Sequence, residues 1–224
     1  MDKLKNIGAK RIIMSLVGVL ICAVSVGFFK LAAFGVDPFQ SLMAGLDALV
    51  PIGFGTLYVI VNAALLIFVL LTDRHYIGLA TLINLLFLGY ITQFTHSLLT
   101  RLLPDPSTAV RIGFLALGIV CICFALSLYM TADLGVSTYD AVALVMANKW
   151  KIGKFKYDRI ITDIVCITLG IGLYLLSGSK PSGITAFIGV GTIITAFFMG
   201  PLIEFFNVHI SKPILSSGKN IEQV

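Results

Sequence analysis

Charge is scarce in this chain. Of its 224 residues 12% are Asp, Glu, Lys or Arg, about half the share of an ordinary soluble domain. Hydrophobic residues make up 58%, and the mean hydropathy is +1.01. A soluble fold of this length has too little interior for so much apolar surface. A soluble enzyme, a nucleic-acid-binding domain and a disordered chain are all excluded. Cysteine is sparse too. Cys22, Cys121, Cys123 and Cys166 lie in apolar stretches, without CxxC spacing or a neighbouring His, which argues against disulfides and zinc. They read as small apolar residues. The three histidines are scattered near helix ends. There is no GxSxG, HExxH or P-loop, so no catalytic residue, metal site or cofactor is expected and the chain reads as a non-enzyme.

What remains is an integral membrane protein. Six segments approach the roughly 20 apolar residues that a spanning helix needs. They are Ile12–Phe34, Phe54–Thr72, Tyr76–Leu99, Ile112–Ala132, Ile160–Leu176 and Gly183–Phe206. Two shorter pieces, 37–48 and 137–148, open with helix-start signals. Asp37 precedes Pro38, as an N-cap precedes N1, and Ser137 stands three residues before Asp140. Helices of this length reach about 15–20 Å, too short to cross.

The chain repeats itself. A shift of 100 residues puts Arg11 on Arg111, Gly18 on Gly118, Ala32 on Ala132, Gly35 on Gly135, Val36 on Val136 and Phe39 on Tyr139. A shift of 111 puts Gly78, Thr81, Ile83, Phe87, Gly89 and Phe94 on Gly189, Thr192, Ile194, Phe198, Gly200 and Phe205. Each copy reads as long helix, short helix, long helix, long helix. The boundaries are 1–103 for the first repeat, 104–207 for the second and 208–224 for a cytoplasmic tail. A removable N-terminal signal would cost half a repeat, so the first helix is expected to stay.

Three crossings per repeat set the second copy upside down. The expected fold is all-α, with six transmembrane helices as two inverted three-helix repeats, each with a short re-entrant or interfacial helix. With the N-terminus inside, twelve Lys and Arg, Arg159 among them, fall in cytoplasmic segments, and Arg101, Arg111 and Lys180 fall outside. If the short helices crossed, the charge count would be about as good. Helix length favours three crossings. Both arrangements place the two termini and Lys149–Arg159 in the cytoplasm. Trp150 suits an interfacial anchor, and Lys30 can snorkel outward.

Polar residues at membrane depth are costly and should face the interior or water. Asn62 and Asp163 match at a shift of 101. Both could simply hydrogen-bond between helices, or they could mark a shared path. The short-helix starts hold Asp37, Gln40, Ser137 and Asp140. Those six residues are the candidates for a solute path, with ordinary capping as the plainer reading of the last four. Thr81, Asn84, Thr192 and Thr195 are secondary candidates, for which helix packing is the better reading.

Three motifs resemble one family: Gly35-Val-Asp-Pro-Phe39, Gly135-Val-Ser-Thr-Tyr-Asp140 and Gly189-Val-Gly-Thr-Ile-Ile with Met199-Gly-Pro-Leu-Ile-Glu-Phe-Phe206. They are similar to the YczE/YitT group of small bacterial inner-membrane proteins. Members often carry Trp after the Pro of the first turn, where this chain has Phe39 and Tyr139. The resemblance implies a polytopic bacterial plasma-membrane protein, in a group without an agreed substrate whose members are sometimes described as transporter or permease components. It supplies no substrate and no site residues. The expected function is passage of an unidentified small solute, and the alternative is a non-transporting scaffold or accessory subunit. The lipid bilayer and that solute are the expected partners, nucleic acid is not, and the oligomeric state stays open.

Overall fold

A computed structural model describes residues 8–50 and 52–216. Lys3, Lys5, Lys219 and the end of the tail, 217–224, lie outside the described residues. Within them the fold is all helical, and six helices are long and apolar enough to cross a membrane. The chain runs through α1 (Ala9–Ala32), short α2 (Pro38–Leu49), α3 (Phe54–Thr72), α4 (Leu79–Leu102), α5 (Thr108–Ala132), short α6 (Thr138–Leu144), α7 (Phe155–Leu176) and α8 (Val190–Phe206). Large apolar side chains such as Leu71, Phe94, Leu117 and Leu176 point outward, a surface suited to lipid and not to water. Polar residues are gathered inside instead.

Both expected helix starts form. Asp37 caps α2 by accepting from the Gln40 amide at 3.2 Å, with Pro38 at the first helical position. Ser137 caps α6 through the Asp140 amide at 3.0 Å, and its hydroxyl donates to the Asp140 carboxylate at 2.6 Å. α6 does not run on to residue 148 as an α-helix. It loosens into a π-helical turn, Val145–Lys149. The last helix does not stop at Phe206 either. A π-helical turn (Asn207–Ser211) and α9 (Lys212–Ser216) extend it, and Ser211 is buried against the Ser127 hydroxyl.

Equivalent residues of the two copies make equivalent bonds. The Arg11 guanidinium donates to the Ala132 carbonyl at 3.1 Å, and Arg111 donates to the Ala32 carbonyl at 2.8 Å. Each arginine starts one helix and satisfies the unpaired carbonyls that end the other. α1 and α5 therefore lie antiparallel along each other. The turns after them dock crosswise. The Val36 amide donates to the Phe187 carbonyl and Val136 to that of Tyr76, while Gly191 donates to Phe34 and Ala80 to Leu134. Thr81 donates to the Val136 carbonyl at 2.7 Å, and Thr192 closes the equivalent turn on Phe187. Thr195 bonds to carbonyls of its own helix. Of these three threonines Thr81 joins two distant segments, and Thr192 and Thr195 bond to the backbone of their own segment.

Two glycines make the crosswise docking possible. Gly35 and Gly135 sit at φ +99° and +98°, which L side chains rarely adopt. A Cβ on Gly35 would lie 2.5 Å from the Gly189 amide nitrogen, and one on Gly135 would lie 2.4 Å from that of Gly78. A second close approach joins α2 to α7, where a Cβ on Gly45 would collide with the Gly170 carbonyl. The equivalent positions hold Val145, the first residue of the π-helical turn after α6, and Val69 of α3, whose side chains rule out so close an approach there.

Replacing Gly35 or Gly135 with Ala should therefore cost at least about 1–3 kcal/mol, the usual penalty for a strained non-glycine backbone. Gly89→Ala, whose added methyl meets no atom, should be neutral or better. Thermal unfolding in detergent would measure both, and equal losses at all three positions would contradict the docking role.

Candidate functional site

The short helices meet at their starts. Phe39 of α2 stacks on Tyr139 of α6, with ring centroids 4.9 Å apart and planes 24° from parallel. The two rings occupy equivalent positions in the two copies.

Around this pair lies a buried polar cluster. Asp140 forms an ion pair with Arg159 and accepts the Tyr129 hydroxyl. Asp163 lies 3.3 Å from the Arg159 Nε, one helical turn along α7, and accepts the Tyr139 hydroxyl. The guanidinium also sits 4.6 Å from the Tyr139 ring centroid, a favourable place for a cation. Arg159 is 4% exposed, and Asp140 and Asp163 less.

This corrects the sequence reading of Arg159 as a cytoplasmic loop charge. α7 begins at Phe155, five residues before the expected start, so Arg159 already belongs to the helix and turns inward. Its spacing from Asp163 was a usable signal, since residues four apart share a helix face. The partner Asp140 was not, because only the tertiary fold brings α6 to α7.

The six primary candidates do converge, in different roles. Asn62 accepts the Thr138 hydroxyl at 2.6 Å and donates to the Tyr58 carbonyl at 2.8 Å. Asn62, Asp37, Gln40, Ser137 and Asp140 all line one small cavity of about 60 Å³, with Asn84 of the secondary set and Arg159. That is room for a few water molecules. Asp163 stands behind the aromatic pair, tied to Arg159 and Tyr139, and does not line the cavity. Thr81, Thr192 and Thr195 lie away from it.

The two halves of the site differ in charge. The shift of 101 that matches Asn62 to Asp163 also matches Tyr58 to Arg159. Gln40 matches Asp140. So the second copy presents Arg159, Asp140 and Asp163 where the first presents Tyr58, Gln40 and Asn62. Even the ring contact is kept, since Tyr58 packs edge-on against Phe39 where Arg159 packs on Tyr139. One half is filled by an internal cation, and the other is neutral apart from Asp37.

A wider recess of about 430 Å³ opens at the end of the bundle that carries Lys154 and Lys156. It comes within one helical turn of the cavity. Met199 lines the cavity and Ile203, four residues on, lines the recess. Tyr129 lines the cavity and Met130 the recess.

With this geometry in hand, comparison with known proteins places the chain. Residues 9–208 match a family described as "Family of unknown function (DUF6198)". The chain belongs to that family. It is also 25% identical over 175 residues to the "Uncharacterized membrane protein YczE" of Bacillus subtilis (strain 168), covering 77% of this chain and 74% of the relative. No solved structure matches. The resemblance carried by the Gly-Val turns thus holds, and the chain is an integral membrane protein. Neither name assigns a role to any residue.

Arg159→Met leaves Asp140 and Asp163 buried without a cation. The expected cost is roughly 3–5 kcal/mol, as for breaking a buried pair from one side. Adding Asp140→Asn and Asp163→Asn to that variant should recover most of the loss, because the buried charge is then gone. Unfolding midpoints of the single and triple variants would test this; a triple variant no better than the single one would refute it.

Proposed function

We propose that this protein passes a small solute across the bacterial plasma membrane, along a path through the cavity where its two copies meet. Both termini are on the cytoplasmic side in this reading, and no bond-making chemistry is involved. The observation that carries it is the buried charged cluster at the junction of the short helices, set one turn from an open recess. Intramembrane charge is expensive and is kept where ions or solutes move.

Several features support an inverted arrangement of the copies. Equivalent helices α1 and α5 run antiparallel, each capped by the other's arginine. The short helices begin at the centre, where Phe39 meets Tyr139, and each reaches only part of a bilayer's thickness. Half-helices starting at the midplane between inverted repeats form the solute sites of several transporter folds. With Arg159 withdrawn into the bundle, eleven Lys and Arg still fall on the cytoplasmic side against three outside. The recess beside Lys154 and Lys156 then opens to the cytoplasm. The π-helical turn after α6 gives the second copy a looser end, and such turns often sit at functional positions.

A scaffold role is favoured by one observation, the completeness with which Arg159 is neutralised by Asp140 and Asp163. In that reading the cluster is a clamp and the cavity is dead space.

The two readings part on water access. In a chain stripped of native cysteines, Gln40→Cys should react with a membrane-impermeant thiol reagent. Leu117→Cys, on the apolar outer face, should not. Reaction at a recess position such as Asn207→Cys without reaction at 40 would favour the scaffold. Topology reporters fused after residues 74 and 104 should report opposite compartments. Matching compartments would overturn the inverted arrangement.

A further inference from the structure

The charge around the cavity does not balance. Arg159 is the one cation among the described residues that line it, against the carboxylates of Asp37 and Asp140 and, just behind, Asp163. The starts of α2 and α6 each contribute about half a positive charge. That leaves about one negative charge in excess, inside an apolar bundle. Lys30 lines an outer crevice with His96 and Arg111 and not the cavity wall, and it acts on Asp37 through its field.

A second observation is independent of charge. The side-chain oxygen of Gln40, a residue 5% exposed that lines the cavity, has no hydrogen-bond partner among the described residues. A buried acceptor left unmade is costly, and it calls for a donor. The first free amides of the two short helices are already taken, by Asp37 and by Ser137. The unmet group at Gln40 is an acceptor, whereas the open N–H groups of Arg159 face the carboxylates of its ion pairs.

Internal repetition indicates where the donor sits. In the second copy a guanidinium rests between the Asp140 carboxylate and the Tyr139 ring. In the first copy the neutral Tyr58 ring takes the matching contact with Phe39, and the cavity beside it is lined by Asp37, Phe39 and Gln40 with no charge from Tyr58. We propose that this place receives a small protonated amine, its N–H groups donating to Asp37 and the Gln40 carbonyl beside the Phe39 ring. Aromatic faces suit weakly hydrated ammonium ions. A hard metal cation asks for a shell of about six oxygens, and no three-residue acidic or histidine metal cluster occurs among the described residues. A cavity of about 60 Å³ admits an ammonium with few heavy atoms. The proposal rests on the solute-path reading and names the class of solute.

The experiment uses the full chain purified in detergent, with Trp150 fluorescence reporting thermal unfolding. Methylammonium chloride should raise the midpoint saturably, since a ligand held by the folded state stabilises it. Sodium chloride and potassium chloride at equal ionic strength should not. Asp37→Asn keeps an N-cap acceptor, and Gln40→Met keeps the side-chain volume. Each should weaken the methylammonium response about tenfold or more, as loss of a charge-assisted or buried contact does. A sodium response equal to that of methylammonium would overturn the proposal, as would no methylammonium response at all, or variants that respond like the parent. Methylammonium currents on proteoliposomes separate the two readings. Binding without current upholds the ligand class and overturns transport, whereas current without binding to this site upholds transport and overturns the site assigned to Asp37 and Gln40.

Discussion

A guanidinium held inside an apolar bundle has to be neutralised where it sits. The desolvation cost of an uncompensated charge is several kcal/mol even after relaxation, a large part of any protein's net stability. Arg159 meets this demand with one carboxylate from its own helix and one from α6. The second of these ties the short helix of one copy to the crossing helix that follows it. The placement of α6, the stack of Tyr139 on Phe39 and the shape of the cavity all follow from that constraint.

The remaining architecture brings α6 within reach. Short helices starting deep in the bundle require the chain to turn back after α1 and α5. Those returns are made by Gly35 and Gly135, docked crosswise on the starts of α8 and α4. The threonines that begin those two helices, Thr192 and Thr81, close the turns. The arginines at the starts of α1 and α5 cap each other's ends, so the same reciprocal logic operates at both ends of the central helix pair. A doubled sequence therefore yields a nearly symmetric frame around a site that is not symmetric. Where one copy has Arg159, Asp140 and Asp163, the other has Tyr58, Gln40 and Asn62.

Much of the fold was legible in the sequence. Apolar runs of spanning length gave five of the six long helices to within five residues, while α8 begins seven residues after the expected Gly183, because 181–186 form a separate 3-10 helix. Asp37-Pro38 and Ser137 with Asp140 marked the short ones, because capping chemistry is local. Matching glycines and threonines revealed the repeat. The site was legible only in part. Asp37, Gln40, Asn62, Ser137 and Asp140 stood out as polar residues in apolar surroundings, and they do share a cavity. Arg159 was missed because it lies beside a lysine-rich segment, where a positive charge has an ordinary explanation. The sequence offered Asp163 four residues on as the sole local hint. Asp163 was picked for its match to Asn62, yet it serves as an ion-pair partner behind the cavity.

Composition, periodicity and repetition by themselves determined that this chain belongs in lipid and how many helices can cross. Those properties depend on residues close in sequence, or on the bulk cost of exposing apolar surface to water. Which polar groups meet was decided by tertiary structure alone. Arg159 and Asp140 are 19 residues apart, and Phe39 and Tyr139 are 100 apart. Their contact depends on helices folding back and crossing, a matter of packing that no local pattern encodes.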